Sequence, residues 1–192
     1  MAFVVTSLGA RPAFFLALAG MTLTPQAQPS GPLAQEPTPA GVRLYYGPAD
    51  DFSGVDARLI AGARKKIDMA AYVLTDRALI SLLGAAAMRG VKLRIYLDGE
   101  EGGRAAANVE EIASAPNVEL RRKGASRDLM HLKSYAVDGR TLRSGSANFS
   151  VSGEERQDND VIVIDSVPLV QKFEANFERL WARTDNRRIG LR

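Results

Sequence analysis

The chain has no cysteine and a single histidine, His131, among its 192 residues. Without cysteine there is neither a disulfide framework nor a thiolate metal site, and one imidazole cannot build a zinc centre on histidines. Any catalysis is therefore expected to be metal-free or to use ions bound by carboxylates, and no cofactor is called for. Long apolar runs are also scarce. The longest candidate, Ala13 to Leu23, is too short to span a bilayer comfortably. There is no internal repeat at a period of about 20 to 50 residues, so any motif occurs once. Neither sign of charge dominates: Lys and Arg number 25 against 22 Asp and Glu, a formal net charge of +3. Such a mild basic bias suits a polyanionic partner, either nucleic acid or an anionic lipid surface. What is present is ordinary globular material, 46% apolar and 24% charged, enough for one domain of about 150 residues plus an extension.

The extension is N-terminal. A lone charge at Arg11, the apolar run and then small polar residues have the layout of a secretory signal peptide over residues 1–27, with an uncleaved membrane anchor as the alternative. Export, to the periplasm or outside the cell, agrees with the lack of free thiols. The stretch TPQAQPSGPLAQEPTPAG, Thr24 to Gly41, is rich in Pro, Gln and Ala without an apolar period. Once 1–27 is removed it leaves a disordered linker over 28–41, and the folded domain is expected over 42–192.

Within that domain strand-like and helix-like patterns alternate. Strands are expected at 42–48, 67–74, 91–98, 118–123, 131–137, 141–146 and 161–165, and helices at 54–66, 76–88, 104–114 and 167–184. Asp76 should cap the second helix and Arg89-Gly90 close it. The last helix should bury Leu169, Phe173, Phe177 and Trp181, and Met88 is expected in the core with Trp181. The loop DGEEGGR, 98–104, lacks phosphate-loop spacing and reads as a connection or groove edge. The fold expected is α/β, a mixed sheet covered by helices on both faces.

The histidine lies in HLKSYAVDGRTLRSGSANFS, residues 131–150. Asp138-Gly139 between two apolar-leaning runs signals a hairpin with a type I′ turn. With those residues as the turn, His131 would face Ser146 and Lys133 would face Ser144. Alternation of side chains then puts His131, Lys133, Ser146 and Asn148 on one side. A fixed positive charge on Lys133, donors on Ser146 and Asn148, and close backbone approach at Gly145 form a cradle for a tetrahedral oxyanion. His131 would sit beside it as nucleophile or proton carrier. A plain polar hairpin face is the other reading of these residues.

Written out, His131, Lys133, Asp138, Gly145, Ser146 and Asn148 stand at the spacing of the signature of the phospholipase D superfamily, which the chain resembles over most of residues 42–185. Within it the chain is similar to the short metal-independent bacterial endonucleases and to a related mitochondrial hydrolase group. The resemblance implies that one histidine attacks phosphorus to give a phosphohistidine, while a second protonates the leaving oxygen and then activates water. Short members pair two chains, so a homodimer is implied in which His131 comes from each copy. It also implies a downstream carboxylate that orients the histidine. In GEERQDNDVIV the position falls on Asp158, with Glu154 and Glu155 as other candidates. Asp138 belongs to the signature but, at a turn tip, is expected to hold the turn or pair with a cation. The basic run LRRKGASR, 120–127, is either a phosphate-contacting strip or a solvated face. Three functions stay open: a nuclease cleaving DNA or RNA, a phospholipase or cardiolipin hydrolase, and an inactive polyanion-binding module.

Overall fold

The computed structural model describes residues 41–124 and 128–190. The expected signal peptide, nearly all of the expected linker, and Arg127 of the basic run lie outside the described residues. The elements run β1 Val42–Tyr46, α1 Phe52–Gly62, β2 Lys66–Ala71, α2 Arg77–Met88, β3 Lys92–Leu97, α3 Glu101–Ala113, β4 Val118–Arg122, β5 Lys133–Val137, β6 Thr141–Gly145, α4 Val151–Glu155, β7 Asp160–Asp165, α5 Val167–Trp181 and β8 Arg187–Ile189. All eight strands join one mixed sheet in the order β1-β7-β6-β5-β2-β3-β4-β8. Strands β2, β3 and β4 are parallel, with α2 and α3 as their crossovers, and every other pairing is antiparallel.

Alternation along the central strands explains the two layers. On β2 and β3, Ile67, Met69, Leu93 and Ile95 enter the core under α1, α2 and α3, while the intervening Ala70 and Tyr96 face Phe177 and Trp181 of α5. Full burial of such side chains contributes about 1.5–3 kcal/mol each. Helix starts follow local chemistry: Asp51 accepts the Gly54 N–H at 2.8 Å, and Asp76 accepts those of Ala78 and Leu79 at 2.7 and 3.2 Å.

Several expectations are corrected. Met88 is 70% exposed at the end of α2, and on α5 the buried residue is Val170, not Leu169. Val170, Phe177 and Trp181 repeat at steps of seven and four, which keeps them on one face. The helix expected at 104–114 begins at Glu101 and absorbs most of the glycine-bearing loop, because Asp98 accepts the Glu100 and Glu101 N–H groups at 3.0 and 3.3 Å. Helix α4 and strand β8 had no periodic signal, being five and three residues long.

The hairpin has the expected turn but a different register. Asp138 and Gly139 both take positive φ, 55° and 69°, and Arg140 N–H returns to Val137 O at 3.0 Å. Arg140 then bulges, since its carbonyl accepts from Ser166 N–H at 3.1 Å at the start of α5. The ladder resumes with Val137 facing Thr141, Ala136 facing Leu142 and Tyr135 facing Arg143. This one-residue slip removes the expected sharing of a face by Lys133 and Ser146. Ser144 meets Ser134 instead, hydroxyl to hydroxyl at 2.8 Å.

Candidate active site

The parallel strands end along one rim of the sheet, where α/β proteins commonly place ligands. Ala71 at the end of β2 faces Leu97 of β3 on one side and Lys133 on the other, and Leu97 faces Arg122 of β4. Residues just beyond these ends, Tyr72, Asp98 and Lys123, therefore surround the segment that carries His131 and Lys133.

His131 precedes β5 and is exposed. Two contacts fix it. Asp98 is 2% exposed, and its second carboxylate oxygen accepts the N–H of Met130 at 2.7 Å, anchoring the residue before the histidine. Burial opposes ionisation of Asp98, but the N–H donors of Met130, Glu100, Glu101 and Gly99 outweigh it and lower its pKa. The Tyr72 ring packs at 4.4 Å, centroid to centroid and tilted by 57°, on the imidazole. Backbone pairing holds Tyr72 there, its N–H reaching Leu132 O at 2.8 Å.

Lys133 is buried, and its ammonium donates to His131 O at 2.9 Å while lying 4.7 Å from the Tyr72 ring centroid. An ammonium has three N–H donors. One is used by the carbonyl, one side is covered by the ring, and the remainder is available for an anion. Burial lowers the Lys133 pKa, and the π face favours the charged form.

The rest of the signature is positioned by a buried arginine. Arg143 is fully buried and forms a two-pronged pair with Asp56, Nε to Oδ1 at 3.1 Å and Nη2 to Oδ2 at 3.2 Å. Its Nη1 donates to Lys133 O at 3.2 Å and Ala147 O at 3.3 Å, tying β5 to the turn that carries Ser146 and Asn148. Tyr135 donates to the same Asp56 at 2.7 Å. Burial pushes the Asp56 pKa up, against the pull of Arg143. Removing one partner of such a buried pair costs about 3–5 kcal/mol.

Gly145 has φ of 146°, and a Cβ there would strike the Asp160 carbonyl. Its close approach is to the backbone of β7. Ser146 is also turned to that strand, donating to Asn159 Oδ1 at 3.0 Å and accepting from Asp160 N–H at 2.9 Å. Asn159 completes the turn through Gly153 O at 2.9 Å. Asn148 Oδ1 is buried without a hydrogen-bond partner among the described residues. Asp138 accepts the N–H groups of Arg64, Lys65 and Lys66 at 2.9, 2.7 and 3.0 Å, clipping the hairpin tip to the start of β2. Burial works against its charge, yet the three donors lower its pKa.

The three acids considered for orienting the histidine differ in their surroundings. Asp158 and Glu155 are exposed. Glu154 is buried against α1, accepting from Ser53 at 2.8 Å, and burial next to Asp56 raises its pKa to about 7. Among the described residues, no hydrogen bond or ion pair joins His131 to any of them. Tyr72 and Asp98, which sequence reasoning missed, hold the histidine segment. No motif marks them, because they act through contacts formed only when the strand ends meet.

Beside His131 opens a groove of about 830 Å³, lined among others by Lys123, Asp128, Asn176, Arg183 and Asp185. Lys123 is itself buried and donates to the Asp128 carbonyl. No group of three or more His, Asp or Glu side chains that could hold a metal ion occurs among the described residues.

Comparison with known proteins places this architecture. Mitochondrial cardiolipin hydrolase of Xenopus laevis is 25% identical over 126 residues, covering 66% of this chain and 59% of that protein. Phospholipase D of Rickettsia prowazekii is 30% identical over 119 residues, 62% of this chain and 57% of its own length. The chain thus spans less than two thirds of these curated relatives. The crystal structure of a phospholipase D family member, Nuc from Salmonella typhimurium, matches with a TM-score of 0.65 at 25% identity, covering 77% of this chain and 96% of that one. NucT from Helicobacter pylori shares the fold at a TM-score of 0.69 and 20% identity, over 78% of this chain and 98% of that one. The family model for the cardiolipin synthase PLD-like domain matches residues 57–181, and with His131, Lys133 and the turn after Gly145 on one rim of the mixed sheet the chain belongs to the PLD-like domain family of the phospholipase D superfamily.

Proposed function

We propose that this chain is a metal-independent phosphodiesterase, an exported endonuclease of low sequence preference that works through a phosphohistidine at a site shared by two copies of the chain. The observation that carries the reading is the exposed His131 at an open groove whose wall, part polar and part apolar, carries Lys123 and Arg183, two cations able to meet phosphates beside the scissile one. The family's reaction needs two imidazoles, and the chain has one. A neutral His131 attacks phosphorus; the bond to the leaving oxygen breaks, and that oxygen takes a proton from a protonated His131 of the second copy. The second imidazole, now neutral, removes a proton from water, which displaces the histidine and releases the phosphate monoester. Lys133 supplies its uncommitted N–H and charge to the non-bridging oxygens, and Arg143, bonded to Lys133 O and Ala147 O, holds the turn that carries Asn148 against β5. Ser146 and Gly145 shape the turn that presents Asn148. In this reading the charge stabilisation falls to Lys133.

A second reading is hydrolysis of a phospholipid by the same chemistry. It is supported by the relatives named cardiolipin hydrolase and phospholipase D, and by Leu129, 54% exposed on the groove wall. The deciding experiment incubates the protein with single-stranded DNA, double-stranded DNA, RNA and cardiolipin vesicles, each in excess EDTA. Cleavage of nucleic acid is expected. Cleavage of the lipid alone selects the second reading, loss of activity in chelator overturns the mechanism, and binding without cleavage leaves a polyanion-binding module.

A further inference from the structure

The sheet edge beyond β4 carries an unusual pairing. Strand β8 adds to β4 antiparallel, with Leu120 facing Ile189, Arg121 facing Arg188 and Arg122 facing Arg187. Facing residues in such a ladder have Cβ atoms about 4.5–5.5 Å apart, and like charges there repel. Two arginine pairs thus stand opposite each other, one on each face of the sheet. Arg121 is partly satisfied, donating to Trp181 O at 2.7 Å, stacking 4.3 Å from the Trp181 ring and lying 3.8 Å from Glu119. Arg122, Arg187 and Arg188 have no ion-pair partner among the described residues, and the last two are exposed.

The ladder leads to the groove. Lys123 follows Arg122 directly, its N–H bonded to Leu97 O at 3.0 Å, and Arg183 lies just upstream of Arg187; both line the groove that holds His131. We infer that the arginine ladder of β4 and β8 is a binding track for the phosphate backbone of a nucleic acid, extending the groove away from the scissile phosphate. This rests on the nuclease reading above. Guanidinium groups bind phosphates with two parallel donors, and because β8 is the last strand of the sheet, Arg187 and Arg188 flank its open edge from opposite faces and can both reach a backbone that passes along that edge. A membrane-seated surface joins basic with apolar residues. Here none of the exposed large apolar side chains, Leu44, Tyr46, Met88, Leu129, Val151, Val167 and Leu169, lies on β4 or β8, which favours a soluble polyanion.

The test uses the full chain with Arg187→Gln and Arg188→Gln together, beside the charge-keeping pair Arg187→Lys and Arg188→Lys. On a His131→Ala background, binding of a long single-stranded DNA is followed by fluorescence anisotropy across salt concentrations. The glutamine pair should weaken binding about tenfold and flatten the slope of log K against log salt by about 1.4, two phosphate contacts at about 0.7 each, and the lysine pair should retain most of both. With His131 intact, the ratio of kcat/KM for the long DNA to that for bis(p-nitrophenyl) phosphate should fall about tenfold in the glutamine pair. Unchanged affinity and slope overturn the track. Unchanged affinity with new aggregation assigns the arginines to protection of the sheet edge, and loss of anionic vesicle binding without loss of DNA binding assigns them to lipid; either result overturns it too. If the wild-type protein fails to hydrolyse the small diester, the phosphodiesterase reading fails, whatever the anisotropy shows.

Discussion

The Lys133 ammonium lies 4.7 Å from the centroid of the Tyr72 ring, and the same ring packs, tilted, with its centroid 4.4 Å from that of His131. One aromatic side chain thus contacts both signature side chains, although it stands 59 residues before the histidine in the chain. The ring covers one side of the ammonium and leaves the other for phosphate.

Replacing that ring tests the arrangement. Tyr72→Phe keeps the π face and should stay within about twofold of wild type. Tyr72→Leu removes about 1–2 kcal/mol of cation–π attraction and should lower kcat/KM on bis(p-nitrophenyl) phosphate about tenfold. Equal activity in the two variants would show that the ring only fills space.

Asp138 gives an acid-side prediction. Its pKa is lowered in the folded protein, so its contribution is complete above the unfolded value of 3.8 and is lost as pH falls through the folded value. Asp138→Asn should therefore destabilise the domain by about 2 kcal/mol near neutral pH, and the difference should shrink below pH 3.8. Urea unfolding at pH 7 and pH 3 reads the difference.

Glu154 gives the opposite slope. Burial raises its pKa from 4.5 to about 7, so the folded state holds a proton that the unfolded chain releases. Its stabilising effect is complete below pH 4.5 and drains away as pH rises through about 7. Glu154→Gln should remove that slope and give a higher Tm than wild type at pH 8, measured by thermal unfolding across the range. A parallel wild-type and variant profile would refute the buried proton.

Sharing of the site between two copies has a simple arithmetic. If each site needs two His131 imidazoles, random dimers of wild-type and His131→Ala chains at equal amounts should retain about a quarter of the activity, the square of the wild-type fraction. Co-refolded mixtures assayed at matched total protein give the curve. A linear dependence, or an active monomer by light scattering, sinks the shared site.

How far the sequence reached can be read residue by residue. The signature from His131 to Asn148, the cap at Asp76 and the turn at Asp138-Gly139 were all legible, because each depends on neighbours a few residues apart. A cap needs a side-chain oxygen two or three residues from its N–H, and a tight turn needs residues that accept positive φ. The tertiary structure decided the rest. Ser166, at the start of α5, takes the Arg140 carbonyl and slips the hairpin by one residue. Asp98 reaches Met130 across 32 residues, Arg143 reaches Asp56 across 87, and β8 finds β4 to set arginine against arginine. These contacts carry no local pattern, since their partners become neighbours only once the sheet order β5-β2-β3-β4-β8 has brought distant strand ends to one rim.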